Sequence, residues 1–237
     1  MSSRKEQKEA LRKERLERER QAQDAARRKR MVGFGIGGAI ALAALVVVAV
    51  VLLAGGGGDD GTASADVYPG GGEVPERQTS NLAAAVKAAD CRTTTEKGNS
   101  REHTTSLSDR VEYRTNPPTY GKHFAEPVDD GAYDDPPQDE ELVHNLEHGR
   151  VIVWFKPSLP EDARADLKAF FDDDDYQMVL VPRRNMPYDV AASAWNRDPT
   201  PNGTGRLLAC PKYSAKVFDA LRAFREQNRS NGPEPIP

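Results

Sequence analysis

From Met31 to Ala54 the chain runs for 24 residues without a charged side chain. A helix rises about 1.5 Å per residue, so this run crosses a hydrocarbon core of about 30 Å with some tilt. The stretch Val46-Val47-Val48-Ala49-Val50-Val51-Leu52-Leu53 is apolar on every side, and no other segment could surround it as a buried core helix. A single transmembrane helix over 31–54 is therefore expected. Arg27-Arg28-Lys29-Arg30 abuts its start, and no base follows it until Arg77. Positive flanks stay in the cytoplasm. This predicts a single-pass plasma-membrane protein with its N-terminus inside and its C-terminal domain extracytoplasmic. A cleaved signal peptide is the alternative. Ala63-Ser64-Ala65 resembles a cleavage site, but it lies far past an apolar run that is itself long for such a peptide.

The charge divides around that helix. Residues 1–30 carry twelve Lys/Arg against six Asp/Glu, whereas everything beyond residue 58 carries 21 bases against 31 acids. The basic tail suits anionic headgroups, which makes the lipid bilayer the first expected partner. It contains no aromatic residue, and nucleic acid is not expected. Other envelope proteins are open as partners. Residues 55–80, rich in Gly, Pro, Asp and Ser, read as a flexible linker. A folded domain is expected over 81–230, with 231–237 as a disordered tail.

Within the domain, Leu82 to Ala89 reads as a short helix with Ser80 or Asn81 as its cap. Residues 92–140 read as irregular, because prolines such as Pro117-Pro118 and Pro136-Pro137 interrupt any long element. Helices are expected over Glu140–His148, with Gly149 as the stop, over Glu161–Phe171 and over Tyr213–Gln227. Strands are expected over Val151–Phe155, Tyr176–Val181 and Val190–Trp195. That order predicts an α+β domain with a small, mostly antiparallel sheet and helices on one face.

All four histidines fall between His103 and His148. His144 and His148 stand four apart on one helix face, close enough to share an ion. His103 and His123 lie upstream, in a loop too long to be idle. Three or four imidazoles suit zinc or copper in preference to hard ions such as magnesium and calcium. Tyr113, Tyr133, Glu141 and Glu147 are candidates to orient those rings. The bland alternative is that the histidines hold the loop to the core and cap the helix. His-Asn-Leu-Glu-His also fits the H-x-x-E-H pattern of inverted zinc peptidases, with Glu147 activating water. That reading needs a further acid from the next helix, where Glu161, Asp162 and Asp166 are available. Cys91 and Cys210, the only cysteines, are expected to pair outside the membrane. The run Asp172–Asp175 lacks the spacing of a calcium loop.

Several phrases add up to a known pattern: Tyr113-x-x-Asn116-Pro117-Pro118-Thr119-x-Gly121-x-His123, then Gly131-x-Tyr133, Leu142-Val143-His144-Asn145-Leu146-Glu147-His148-Gly149-x-Val151, and Ala194-Trp195. Over roughly residues 85–230 the chain resembles the bacterial family catalogued as domain of unknown function 3105. The resemblance implies one N-terminal membrane helix followed by an extracytoplasmic domain, and no established activity. Where the family pattern usually has Ser after Pro-Pro-Thr, this chain has Tyr120, so no hydroxyl nucleophile is expected there. A histidine-based metal module is the expected function, ahead of a structural or interaction domain and of a metal-dependent hydrolase.

Overall fold

The computed structural model describes residues 67–234. The basic tail, the expected membrane helix 31–54 and the linker as far as residue 66 lie outside the described residues. Among the described residues, no helix is long and apolar enough to cross a membrane.

The described domain is α+β. Four helices, α1 (Leu82–Ala88), α2 (Asp139–Glu147), α3 (Glu161–Asp173) and α4 (Val217–Asn228), accompany eight strands. These strands are β1 (Arg92–Lys97), β2 (His103–Thr104), β3 (His123–Phe124), β4 (Gly131–Ala132), β5 (Val151–Phe155), β6 (Met178–Pro182), β7 (Val190–Asn196) and β8 (Thr204–Cys210). Six of them form one sheet in the order β1-β8-β7-β5-β6-β4. The pairs β1/β8, β8/β7 and β7/β5 are antiparallel, and β5/β6 and β6/β4 are parallel. The expectation of a mostly antiparallel sheet holds.

Helices do not, however, keep to one face. All five residues of β5 are buried, and they alternate between two cores. Val151, Val153 and Phe155 join Leu167, Phe170, Phe218 and Phe224 of α3 and α4, while Ile152 and Trp154 join Leu142, Val143 and Leu146 of α2. A strand that is apolar without alternation needs cover on both sides. Helix α2 and the irregular segment over it supply the second cover. This corrects the one-face expectation.

Local chemistry sets the ends of these elements. Asn81 caps α1 through its side chain, which accepts from Ala84 N at 2.9 Å. Helix α2 stops where expected: Gly149 has φ +83°, its N–H bonds Leu146 O at 3.0 Å, and Arg150 N bonds Asn145 O at 3.0 Å. That pair of bonds is a Schellman closure, which only a residue tolerant of the left-handed region completes cheaply. Cys91 and Cys210 form the expected disulfide, joining the start of β1 to the end of β8.

Two boundaries differ from the sequence reading. The second half of the expected linker packs on the domain. The Tyr68 hydroxyl lies 2.9 Å from both Tyr133 O and Leu180 O, Glu73 N donates to Asp166 Oδ1, and Arg77 pairs with Glu226. The start of the expected tail is also held, because Arg197 N donates to Asn231 O and Glu234 N to Glu147 O. Both stretches look like tether by composition, yet each satisfies its backbone on side chains and carbonyls far away in sequence.

Candidate metal centre

The irregular segment between β1 and α2 folds over α2 and delivers the two upstream histidines to it. Strands β2 and β3 pair in parallel with His103 opposite His123, closed by His123 N→Glu102 O and Ala125 N→Thr104 O at 3.0 Å each. Asn145 of α2 holds the segment down: its Oδ1 accepts from Val128 N at 3.0 Å and its Nδ2 donates to Val128 O at 2.8 Å. Two residues of bridge and one amide thus replace the long elements that the prolines forbid.

All four histidines come together. Ring centroids are 4.5 Å apart for His103–His123, 4.9 Å for His123–His144 and 4.4 Å for His144–His148. At the middle stands Glu147, with its side chain fully buried. Its Oε2 lies 3.0 Å from His123 Nε2 and 3.4 Å from His103 Nε2, and its Oε1 accepts from Arg101 Nε at 2.6 Å. One ligand atom each from His103, His123, His144 and Glu147 falls within 4.8 Å of the others. His148 belongs to the cluster through His144, the two Nε2 atoms being 3.0 Å apart. A tetrahedral ion with bonds of about 2.0–2.1 Å separates its ligand atoms by about 3.3 Å, and the 3.0 and 3.4 Å contacts of Glu147 Oε2 with His123 and His103 are near that value.

The far side of each buried ring is committed. His123 Nδ1 lies 2.7 Å from Gly121 O, and His144 Nδ1 lies 2.7 Å from Phe124 O. A carbonyl accepts, so each Nδ1 is the donor, which leaves His123 Nε2 facing Glu147 and His144 Nε2 facing His148 Nε2. Backbone carbonyls behind ligating imidazoles are the usual means of fixing tautomer and ring orientation. Trp195 buttresses His123 edge-on, with centroids 5.8 Å apart.

Electrostatics keep the acid ionised and two of the bases neutral. Burial alone would push the Glu147 carboxyl up, but hydrogen bonds from His123 and Arg101 outweigh it and take the group down to about 2. Burial lowers His144 against the pull of its Phe124 bond. Burial, with help from His144 and Arg150, takes His148 down to about 4. Near neutral pH, then, an ionised carboxylate faces His144 and His148 as unprotonated imidazoles.

The residues expected to orient the rings are placed differently. Glu147 is itself one of the four residues whose ligand atoms fall within 4.8 Å of one another. Tyr113 acts at one remove, donating to Lys122 O at 2.8 Å beside His123. Tyr133 donates instead to Asp129 O, and Glu141 accepts from Gln138 N at the start of α2, so both make their bonds away from the rings. Helical spacing placed Glu141 on the His144 face, but the need to cap the first turn claims it. The acids offered for a peptidase site are also misplaced. Helix α3 packs on the other face of the sheet, and Asp166 accepts from Glu73 N and Tyr213 OH. Tyr120 is buried and bonds Glu96 Oε2 at 3.0 Å. Sequence reasoning missed Arg101, which pairs with Glu147 and reaches Glu234 Oε2 at 3.4 Å. A lone arginine in a polar loop carries no signal that could have marked it.

No curated protein and no solved structure matches the chain. The model of the family described as Protein of unknown function (DUF3105) matches residues 103–235, which begin at the first histidine of the cluster and cover more than half of the chain, and the protein belongs to that family.

Proposed function

We propose that the domain is a metal-binding module in which His103 Nε2, His123 Nε2, His144 Nε2 and Glu147 Oε2 hold one zinc or copper ion. The observation that carries this reading is the pair of carbonyls, Gly121 O and Phe124 O, each 2.7 Å behind a buried imidazole, in a cluster where one ligand atom each of His103, His123, His144 and buried Glu147 falls within 4.8 Å of the others. Nitrogen-rich sets of this kind favour zinc and copper over magnesium and calcium. A peptidase role has less support. Glu147 lies inside the ligand set with one oxygen on Arg101, and its carboxyl is far below the range useful to a base acting near neutral pH.

A second reading has its own observation. His123 has an acceptor on both sides, Gly121 O and Glu147 Oε2. A doubly protonated imidazolium clamped between them satisfies the same geometry with no ion, and the cluster then only ties loop to helix.

Elemental analysis and zinc titration of the full chain in detergent separate the two. The metal reading expects about one zinc or copper per chain, and loss of it in His123→Ala and His144→Ala. Because only the native state presents these ligands together, zinc at about 100 times its Kd should add about 2.7 kcal/mol to the unfolding free energy. A chain that takes up neither ion favours the clamp.

The module is further proposed to stand outside the plasma membrane on the 31–54 helix. The Cys91–Cys210 disulfide supports that side, since such bonds persist in oxidising compartments. Protease added to cells with their outer layers opened should digest the domain and spare residues 1–30. Protection of the domain would reverse the orientation.

A further inference from the structure

Three of the rings, His103, His123 and His144, form a triangle with centroids 4.5, 4.9 and 5.0 Å apart, and His148 is appended to it through His144. Of the His103 side chain, 39% is exposed. His123 is fully buried and His144 is 5% exposed. His148, 9% exposed, lines a cleft of about 320 Å³ together with Asp129, Asp130, Asn145 and Arg150. The contact between His144 and His148 is Nε2 to Nε2 at 3.0 Å.

A module built only to store an ion has no use for a ring outside the compact set of four ligand atoms. His148 is such a ring. Its Nε2 is 3.0 Å from His144 Nε2, and it borders the cleft lined by Asp129, Asp130 and Arg150. We propose that the centre is a relay, and that His148 is the exchange ligand through which the ion passes between the buried set and the cleft. This rests on the metal reading above.

The step conserves charge and electrons. The ion gains a bond from His148 Nε2 and gives up one from Glu147 Oε2 or His123 Nε2, with no change of oxidation state. In the ion-free form His144 Nδ1 donates to Phe124 O, so His148 Nε2 carries the proton that lies between the two rings. As the metal bond forms, that proton is passed through cleft water to His148 Nδ1, so the ring stays a neutral imidazole. Asp129 and Asp130 are both exposed at the cleft, Asp130 paired with Arg150 at 3.1 Å, and they supply carboxylates where a departing or arriving cation first meets solvent.

The test is the rate at which a chromophoric chelator removes zinc from the zinc-loaded full chain in detergent. His148→Ala and His148→Gln should keep one zinc per chain, because the four proposed ligands are intact. Extraction should slow by about tenfold or more, a barrier change of about 1.4 kcal/mol. Asp129→Asn with Asp130→Asn should slow zinc uptake at low salt and lose that effect at high salt, since the contribution of exposed charges is screened. Thermal midpoints of the loaded variants within a few degrees of wild type confirm that the fold is kept. Unchanged extraction in both His148 variants, with zinc still bound, overturns the relay and leaves the metal reading standing. Faster extraction with weaker binding makes His148 an ordinary ligand and also overturns it. A wild-type chain that binds no zinc or copper overturns both.

Discussion

Replacing both Cys91 and Cys210 by alanine is expected to lower the unfolding free energy of the domain by about 4–5 kcal/mol. The bond closes a loop of 119 positions, and in the chain-entropy model a loop of that order restricts the unfolded chain by about this amount. Domains of ordinary stability have about 5–15 kcal/mol in all, so the loss is a large share of the total. The native side of the balance points the same way. Strand β1 is an edge strand whose side chains are largely exposed, and in the sheet it pairs only with β8. The disulfide adjoins the Arg92↔Ala209 register pair and so holds the one strand with least burial of its own. Urea unfolding followed by tryptophan fluorescence measures this in the full chain, because Trp154 and Trp195 are its only tryptophans and both are fully buried. A shift below about 1 kcal/mol would mean that the unfolded chain is already restricted, and that the loop model fails here.

The same edge shows why part of the fold was illegible. Arg92-Thr93-Thr94-Thr95-Glu96-Lys97 has the β-branched residues of a strand but no apolar alternation, because neither face of an edge strand here reaches the core. Strand β8 was hidden for another reason. Gly205 and Arg206 interrupt its pattern, and a side chain at Gly205 would strike Tyr120 and Thr119, so the glycine is a packing requirement that reads locally as a break. Segments buried on a periodic face, such as α3 and α4, were readable to within a few residues. The site was half legible. Helical spacing put His144 beside His148, and the loop length argued that His103 and His123 would join them. The sequence placed Glu147 near the rings only as an orienting or water-activating group; that its carboxylate sits between His103 and His123 depends on the β2/β3 bridge folding over α2.

Glu147→Leu is expected to destabilise the zinc-free domain by about 3–5 kcal/mol, because removing one partner of a buried ion pair leaves the other groups uncompensated. Three groups contact this carboxylate; His103, 3.4 Å away and 39% exposed, is the least dependent on it. His123, with no exposed surface, loses the acceptor facing its Nε2, and Arg101 loses a 2.6 Å contact. Their situations differ. Arg101 has 32% of its side chain exposed and can turn to water, whereas His123 is held by Gly121 O and Trp195 and cannot. Most of the loss should therefore follow His123. A double-mutant cycle tests this: Arg101→Ala should couple to Glu147→Leu weakly, by about 0.5–1 kcal/mol, and His123→Ala by more, toward about 3 kcal/mol. Glu147→Gln should fall between wild type and Glu147→Leu, since its amide oxygen still accepts one hydrogen bond but carries no charge. Zinc then divides the two readings of the cluster. If Glu147 Oε2 is a ligand, both variants lose the zinc-dependent gain in midpoint that wild type shows. If the carboxylate only clamps an imidazolium, wild type shows no such gain, and the variants differ from it equally with and without zinc. A Glu147→Leu protein as stable as wild type would contradict both, because it would mean that the desolvation of this carboxylate cancels everything its partners return.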